Sequence, residues 1–283
     1  MEGRYRGFEV TRHEPGVAVL TMSQPDRLNG MTQAMKRDMI EILAWCQMDD
    51  AVRVVVITGT GRAFSAGDDI TGRRPDYGEH TALAPALPAG HRDAMSTYAA
   101  LRTMSQALNL AVRQLDKLTV AAVNGVAIQT GLSLALSCDF RIASEDARLG
   151  SGTLRFGLQP DEGGHALVVQ LVGVARAMDF FMRNRILTAA EAQELGLVHE
   201  VVPAGELEKC TLALARELAE GPQVAMRLLK RALYTAAESS FTHALDDIAS
   251  KTAVSDHHPD AREGVAAFRE KRAPRFNEWL RTS

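Results

Sequence analysis

An α/β fold with an all-helical C-terminal extension is what this sequence predicts, on three observations. Two apolar runs read as strands: Val52–Thr58 (VRVVVIT), nearly continuous and β-branched as in a strand covered on both faces, and the shorter β-type run Val120–Val123 (VAAV). Each ends in a glycine-punctuated turn, and residues with helical spacing follow further along. From Ala175 onward the chain is mostly helical, and past Pro203 its composition shifts to Ala, Leu, Glu, Lys and Arg. Strands alternating with helices, then helices alone, give a core over residues 1–203 and a helical region over residues 204–283.

Taken in order, Phe8–Val10 and Val17–Met22 form a hairpin around Glu14-Pro15-Gly16, and Ser23–Asn29 is a turn-rich loop. An amphipathic helix runs from about Thr32, its N-cap, to Cys46, with Met35, Met39, Ile42 and Leu43 on the apolar face. The strand Val52–Thr58 leads into the turn Gly59–Ile70. Residues 71–93 are irregular and carry Arg73, Arg74, Tyr77, His80 and His91, and a loop of this length is usually functional or mobile. A helix over Ala94–Leu115 precedes the strand Val120–Val123. That strand breaks at Asn124-Gly125 and re-forms after Gln129-Thr130-Gly131 as a helix ending near Asp139. Phe140–Ala143 and Leu197–Val202 are further strands, and Pro203, Gly221-Pro222 and Pro259 mark helix boundaries.

Composition narrows the function. A length of 283 residues with 46% hydrophobic residues is enough for a sizeable core. The net charge of −3 gives no general basic character for nucleic acid or an anionic membrane. Cys46, Cys138 and Cys210 are odd in number and widely spaced, which fits free thiols in a reducing compartment and no metal site. The N-terminal MEGRYRGFEV lacks the apolar run of a signal peptide, so a cytoplasmic protein is expected. The most apolar stretch, Leu118–Cys138, is interrupted by Asn124 and Gln129 and reads as a buried strand, turn and helix rather than a membrane span.

A strand that turns sharply into a helix leaves backbone N–H groups without acceptors at the helix start. Such groups suit an anion or a developing oxyanion. Downstream of that turn lie two acids beside a glycine pair, Asp161-Glu162-Gly163-Gly164. Val120–Gly164 is therefore the candidate active site.

Five segments in order resemble the crotonase (enoyl-CoA hydratase/isomerase) family. They are VAVLTMSQPDRLNGMT, VVVITGTGRAFSAGDDI, VAAVNGVAIQTGLSLALSCD, LTAAEAQELGLVHEVVP and EGVAAFREKRAPRF. The resemblance covers almost the whole chain. It implies a crotonase-type spiral of repeated ββα units, a C-terminal helical trimerisation region, an acyl-CoA substrate, and a homotrimer or dimer of trimers. It implies no metal and no redox cofactor, the CoA thioester being the substrate. It places two oxyanion-hole donors at the backbone N–H groups of Asp68 and Thr130, each worth about 3 kcal/mol in the transition state. It places CoA at Arg27, Ala66, Gly67 and Asp68, with Lys271 reaching the 3′-phosphate from a neighbouring subunit. For the charge run around Lys271 the plainer reading is a solvated helix face.

The departures from the family pattern carry as much information. Gln129-Thr130-Gly131 stands where the family has three glycines. Ser133 and Thr153 stand where family hydratases place two water-activating glutamates, and neither hydroxyl is a general base near neutral pH without a partner. The segment GLQPDEGG is most similar to the ring-1,2-epoxyphenylacetyl-CoA isomerase branch, which has a catalytic aspartate at the position of Asp161. A carboxylate that removes a proton and returns it elsewhere suffices to move a double bond, so isomerisation through Asp161 is the expectation, with Glu162 as the second candidate base. Other readings stay open. They are hydration through Asp161 or Glu162 on a re-placed water, hydrolysis or dehalogenation with Asp161 as nucleophile, and an inactive acyl-CoA-binding scaffold. Asp161 is also well placed to cap the helix beginning at Gly163.

Overall fold

The structure, a computed structural model, describes residues 1–71, 77–87 and 93–281. It opens with β1 (Gly3–Tyr5), β2 (Phe8–His13) and β3 (Val17–Met22), an antiparallel meander. The Thr32 hydroxyl accepts from the Met35 N–H and starts α1 (Gln33–Met48), as the spacing predicts. The chain then repeats one pattern three times: a long strand, a turn, a short strand and helix. The first unit is β4 (Val54–Gly59), β5 (Ala63–Ser65), α2 (Ala94–Ala100) and α3 (Gln106–Gln114). The second is β6 (Leu118–Val123), β7 (Val126–Ile128) and α4 (Thr130–Ser137). The third is β8 (Phe140–Ser144), β9 (Arg148–Gly150) and α5 (Gly164–Met182). After them come β10 (Ile186–Thr188), α6 (Ala189–Glu194) and β11 (Glu200–Val202).

Each unit gives its long strand to one sheet and its short strand to another, and this produces the expected spiral. The large sheet has the order β1-β2-β3-β4-β6-β8-β11 and is parallel from β3 onward. The small sheet has the order β10-β9-β7-β5, with β5, β7 and β9 parallel. One core fills the space between the sheets and the helices, including Phe8, Leu20, Met35, Met39, Ile57, Phe64, Leu134 and Phe180. Burying side chains of this size contributes about 1.5–3 kcal/mol each.

Helices α7 (Leu207–Glu220), α8 (Gln223–Glu238), α9 (Phe241–Asp256) and α10 (Pro259–Glu270) close the chain. Of these, α7 packs on the open face of the large sheet, where Leu207, Ala215 and Leu218 join Val17, Val54, Val56, Val120 and Ile142 in a second core. Residues 207–220 thus share a core with the strands. The helix expected over Ala94–Leu115 is interrupted by a π turn at Leu101–Ser105, which turns Met104 and Ser105 inward together. Helix α5 has the length and apolar composition of a membrane span, but non-helical backbone at Gly173 divides it, and Leu167, Val168, Ala177 and Phe180 enter the core.

Candidate active site

Because β5, β7 and β9 are parallel neighbours, their C-terminal ends deliver three turns side by side, the usual place for a ligand in such sheets. The first carries Ala66-Gly67-Asp68, the second Gln129-Thr130-Gly131, and the third runs from Ser151 through a 3₁₀ turn at Thr153–Phe156 to Glu162. Three stretches far apart in sequence meet there because each repeat ends at the same edge.

Two backbone amides stand out. The Met31 N–H donates to Gly67 O at 2.9 Å and the Asp69 N–H to Met31 O at 3.1 Å. Residue 68 sits between them, so its own N–H points away from Met31. Thr130 is the first residue of α4, where an N–H has no acceptor within the helix. The turns touch closely: a Cβ on Gly131 would lie 2.2 Å from Ser65 O, which fixes glycine there. Gln129 takes φ 55°, ψ −114°, a conformation that favours glycine and costs other residues of order 1–3 kcal/mol. Strain of this kind persists where surroundings enforce it. Here the Gln129 side chain is tied at both ends, accepting from Ser151 Oγ at 3.0 Å and donating to the Glu162 carboxyl at 3.2 Å.

The acids differ sharply in setting. Glu162 is buried at 5% exposure, its main-chain carbonyl accepting from Asn109 Nδ2 at 2.9 Å. Its carboxyl oxygen Oε1 lies 2.7 Å from Thr130 Oγ1. Burial pushes the Glu162 carboxyl above its ordinary range; the Thr130 hydroxyl opposes this, and the charges of Asp161 and Asp68 add to it. Asp161 is exposed, and its carbonyl accepts from Gln106 Nε2 at 2.9 Å. Asp161 does not cap the following helix: Gly163 occupies the N-cap and no side chain bonds there. Asp68 holds its carboxylate between Lys36 Nζ and Thr130 Oγ1, both 2.6 Å from Oδ1. A cleft of about 570 Å³ opens beside this pair, lined among others by Met31, Thr32, Lys36, Tyr77 and Met104.

The other sequence-derived positions fall around this centre. Ser133 is buried, with its Oγ packed against Gly164, and Thr153 Oγ1 lies 3.2 Å from Ser151 Oγ. Arg27 pairs with Asp69 at 2.5 Å at the edge of the first turn, where Ala66 is half-buried. Lys271 is the exposed, left-handed C-cap of α10, well away in sequence from the three turns. Tyr77 and Thr32 share a hydrogen bond of 2.5 Å in the cleft, and the His80 ring lies 6.3 Å from that of Tyr77. Arg73, Arg74 and His91 lie outside the described residues. Sequence reasoning missed Lys36, Ser105, Gln106, Asn109 and Ser151. Lys36 had a signal: it stands in phase with Met39, Ile40 and Leu43 on α1, an odd place for a cation unless it is paired. Gln106 and Asn109, three apart on α3, present two amides to consecutive carbonyls of the acid pair.

Residues 12–279 match the sequence profile of the enoyl-CoA hydratase/isomerase family. The chain belongs to that family. Among its enoyl-CoA hydratase/isomerase relatives is the 1,2-epoxyphenylacetyl-CoA isomerase of Escherichia coli (strain K12), 35% identical over 272 residues, covering 95% of this chain and 98% of that protein. A probable enoyl-CoA hydratase of Mycobacterium bovis is 32% identical over 267 residues, covering 94% and 96%. The crystal structure of an enoyl-CoA hydratase from Bacillus anthracis superposes with a TM-score of 0.86 at 30% identity, covering 96% of this chain and 99% of that one. Membership in the enoyl-CoA hydratase/isomerase family makes this an acyl-CoA enzyme. Its relatives carry both isomerase and hydratase names.

Proposed function

We propose that the enzyme isomerises an unsaturated or ring-type acyl-CoA, with the N–H groups of Asp68 and Thr130 holding the thioester oxygen and Asp161 carrying the proton. The observation that carries this reading is the distribution of carboxyls over the three turns. By the family resemblance, Ser133 and Thr153 put hydroxyls where a hydratase has glutamates. Asp68 is committed to Lys36, and Glu162 is buried against Thr130. Asp161 remains: exposed, with no side-chain hydrogen bond among the described residues, its main chain anchored by Gln106. Loss of a proton beside the thioester carbonyl puts negative charge on its oxygen, which two converging amides stabilise. Asp161 then returns the proton at another carbon, and no water is consumed. The relative named as an epoxyphenylacetyl-CoA isomerase supports the same direction.

CoA is proposed to lie along Arg27, Ala66 and Gly67, with Lys271 contributed by a second subunit. Exposed Leu229, Leu233, Phe241, Leu245, Val254 and Phe268 on α8–α10 support assembly as a trimer or dimer of trimers. The proposed chemistry draws only on the thioester and the chain's own groups, and three free cysteines support a reducing, cytoplasmic setting.

The test is direct. The wild-type enzyme should shift the double bond of a 3-enoyl-CoA without incorporating labelled solvent oxygen, and Asp161→Asn should abolish the shift while retaining CoA-thioester binding. Full activity in Asp161→Asn removes its role. Labelled oxygen in the product of a 2-enoyl-CoA would make the enzyme a hydratase.

A further inference from the structure

The Thr130 hydroxyl lies 2.6 Å from Asp68 Oδ1 and 2.7 Å from Glu162 Oε1. A hydroxyl has one proton, so it can donate to only one of these carboxyls. The other contact is a hydrogen bond only if that carboxyl is itself protonated. Asp68 has an ammonium at 2.6 Å, from a Lys36 that is 2% exposed and donates a second hydrogen bond to Ser105 Oγ at 2.6 Å. Among the described residues Glu162 has no cation as a partner; its carboxyl meets Thr130 and the Gln129 amide.

We infer that Glu162 is the protonated member of an Asp68–Thr130–Glu162 chain that locks the two halves of the proposed oxyanion hole together and keeps the hole free of net charge. Glu162 donates to Thr130 Oγ1, and the Thr130 hydroxyl donates to Asp68 Oδ1. Lys36 donates to the same oxygen. The two residues whose N–H groups form the hole are thereby joined side chain to side chain. The chain of groups carries one ammonium and one carboxylate, and Asp161 is neutral once it has taken the proton, so an enolate forming there meets no surplus negative charge from these groups. When Glu162 ionises, Thr130 can satisfy only one of two carboxylates, and a negative charge appears next to the forming enolate. Glu162 is thus a positioning residue that acts through Thr130. Among the described residues, the charged groups facing it are Asp68 after β5, Lys36 on α1 through Asp68, and its neighbour Asp161; Asn109 on α3, Gln129, Thr130 and Ser151 are neutral.

The kinetic part of this inference rests on the isomerase reading; the protonation state does not, and infrared spectroscopy reads it without any turnover. The wild-type protein should show a protonated-carboxyl C=O band persisting above the ordinary carboxylate range. Glu162→Gln should lack that band, and Thr130→Ser should keep it. Asp68→Asn should shift its titration to lower pH, and that shift should largely vanish when Thr130→Val is already present, the sign of coupling through the hydroxyl. In turnover, Thr130→Val should lower kcat by roughly 10–100-fold, the loss of a hydrogen bond to a charged group, with a much smaller change in KM and rescue by Thr130→Ser. Glu162→Gln should remove the alkaline limb of the pH profile. The inference is overturned if the wild type has no such band. It is equally overturned if the band survives Glu162→Gln, or if Asp68→Asn shifts it equally with and without the Thr130 hydroxyl. Circular dichroism of each variant separates these results from misfolding. A wild type that moves no double bond sinks the isomerase reading and leaves the infrared result standing.

Discussion

Lys36 Nζ donates to Asp68 Oδ1 at 2.6 Å, and through that bond α1 fixes the turn that supplies one proposed hole amide. The lysine is buried, while the Asp68 side chain is 44% exposed. Removing one partner of a buried pair costs about 3–5 kcal/mol, but water reaches Asp68 and offsets part of this. Lys36→Met is therefore expected to cost about 1–3 kcal/mol in urea denaturation and to lower kcat, by leaving an uncompensated charge beside the hole. Adding Asp68→Asn to Lys36→Met should restore part of the stability. A double variant less stable than the sum of the singles would contradict the pairing.

Gln129 tests the strain. Both Gln129→Ala and Gln129→Gly delete the hydrogen bonds to Ser151 and Glu162, so their difference isolates the backbone at φ 55°, ψ −114°. Glycine should be the more stable of the two by about 1–2 kcal/mol, despite the greater flexibility of its unfolded state. Equal stabilities would show that the turn relaxes at no cost.

The carboxyl of Glu162 is held above its ordinary range by burial, so the folded protein binds that proton more tightly than the unfolded chain. This contribution is fully present below the ordinary glutamate value and is lost as pH rises through the raised one. Wild-type stability should accordingly fall relative to Glu162→Gln as pH increases from acid toward neutral. A constant difference across that window would show that Glu162 titrates normally.

The long elements were legible in the sequence because their periods are long enough to count. The strands expected at Val52–Thr58 and Val120–Val123 are observed at Val54–Gly59 and Leu118–Val123, within two residues at each end, and the Thr32 cap is where the pattern puts it. The small sheet did not: Ala63–Ser65, Val126–Ile128 and Arg148–Gly150 are three residues each, too short for alternation to register. Yet that sheet sets the site, by placing three turns at one edge. The acid pair and the Gln129–Gly131 turn could be read as chemistry. Their exposure could not, since Asp161 and Glu162 are adjacent and only tertiary packing decides which of them is buried. Lys36 is conspicuous by its place on the apolar face of α1, but its partner lies 32 residues away and only the fold brings the two together.

Ser133 and Gly164 meet so closely that a Cβ on Gly164 would lie 2.3 Å from Ser133 Oγ. Gly164→Ala is therefore expected to destabilise by about 1–3 kcal/mol through overpacking, and Ser133→Ala should relieve part of it. The same contact bears on the proposal that Ser133 stands where a hydratase has a glutamate. Ser133→Glu adds three heavy atoms more than the serine site holds, so it should destabilise without producing incorporation of solvent oxygen. Measurable hydration in that variant would show that the helix start yields easily.

Asp139 joins the spiral to the C-terminal helices and gives the largest expected stability effect. It follows α4, and its Oδ2 accepts from the Thr119 N–H at 2.7 Å, Thr119 Oγ1 at 2.9 Å and Lys230 Nζ at 2.8 Å, while Oδ1 accepts from Tyr234 OH at 2.6 Å. Lys230 and Tyr234 are one turn apart on α8, and the Arg113 guanidinium lies over the Tyr234 ring at 4.3 Å. The Lys230 side chain is 4% exposed and its ammonium donates also to Lys117 O at 2.9 Å. Asp139→Asn leaves that ammonium buried without its counter-charge and should cost about 3 kcal/mol or more. Tyr234→Phe removes one hydrogen bond to a charged acceptor and should cost about 1.5–3 kcal/mol. If α8 depends on this anchor, hydrogen exchange in Gln223–Glu238 should rise more in Asp139→Asn than exchange in α1. Equal increases in both helices would mean that the network stabilises the whole fold without holding α8 in particular.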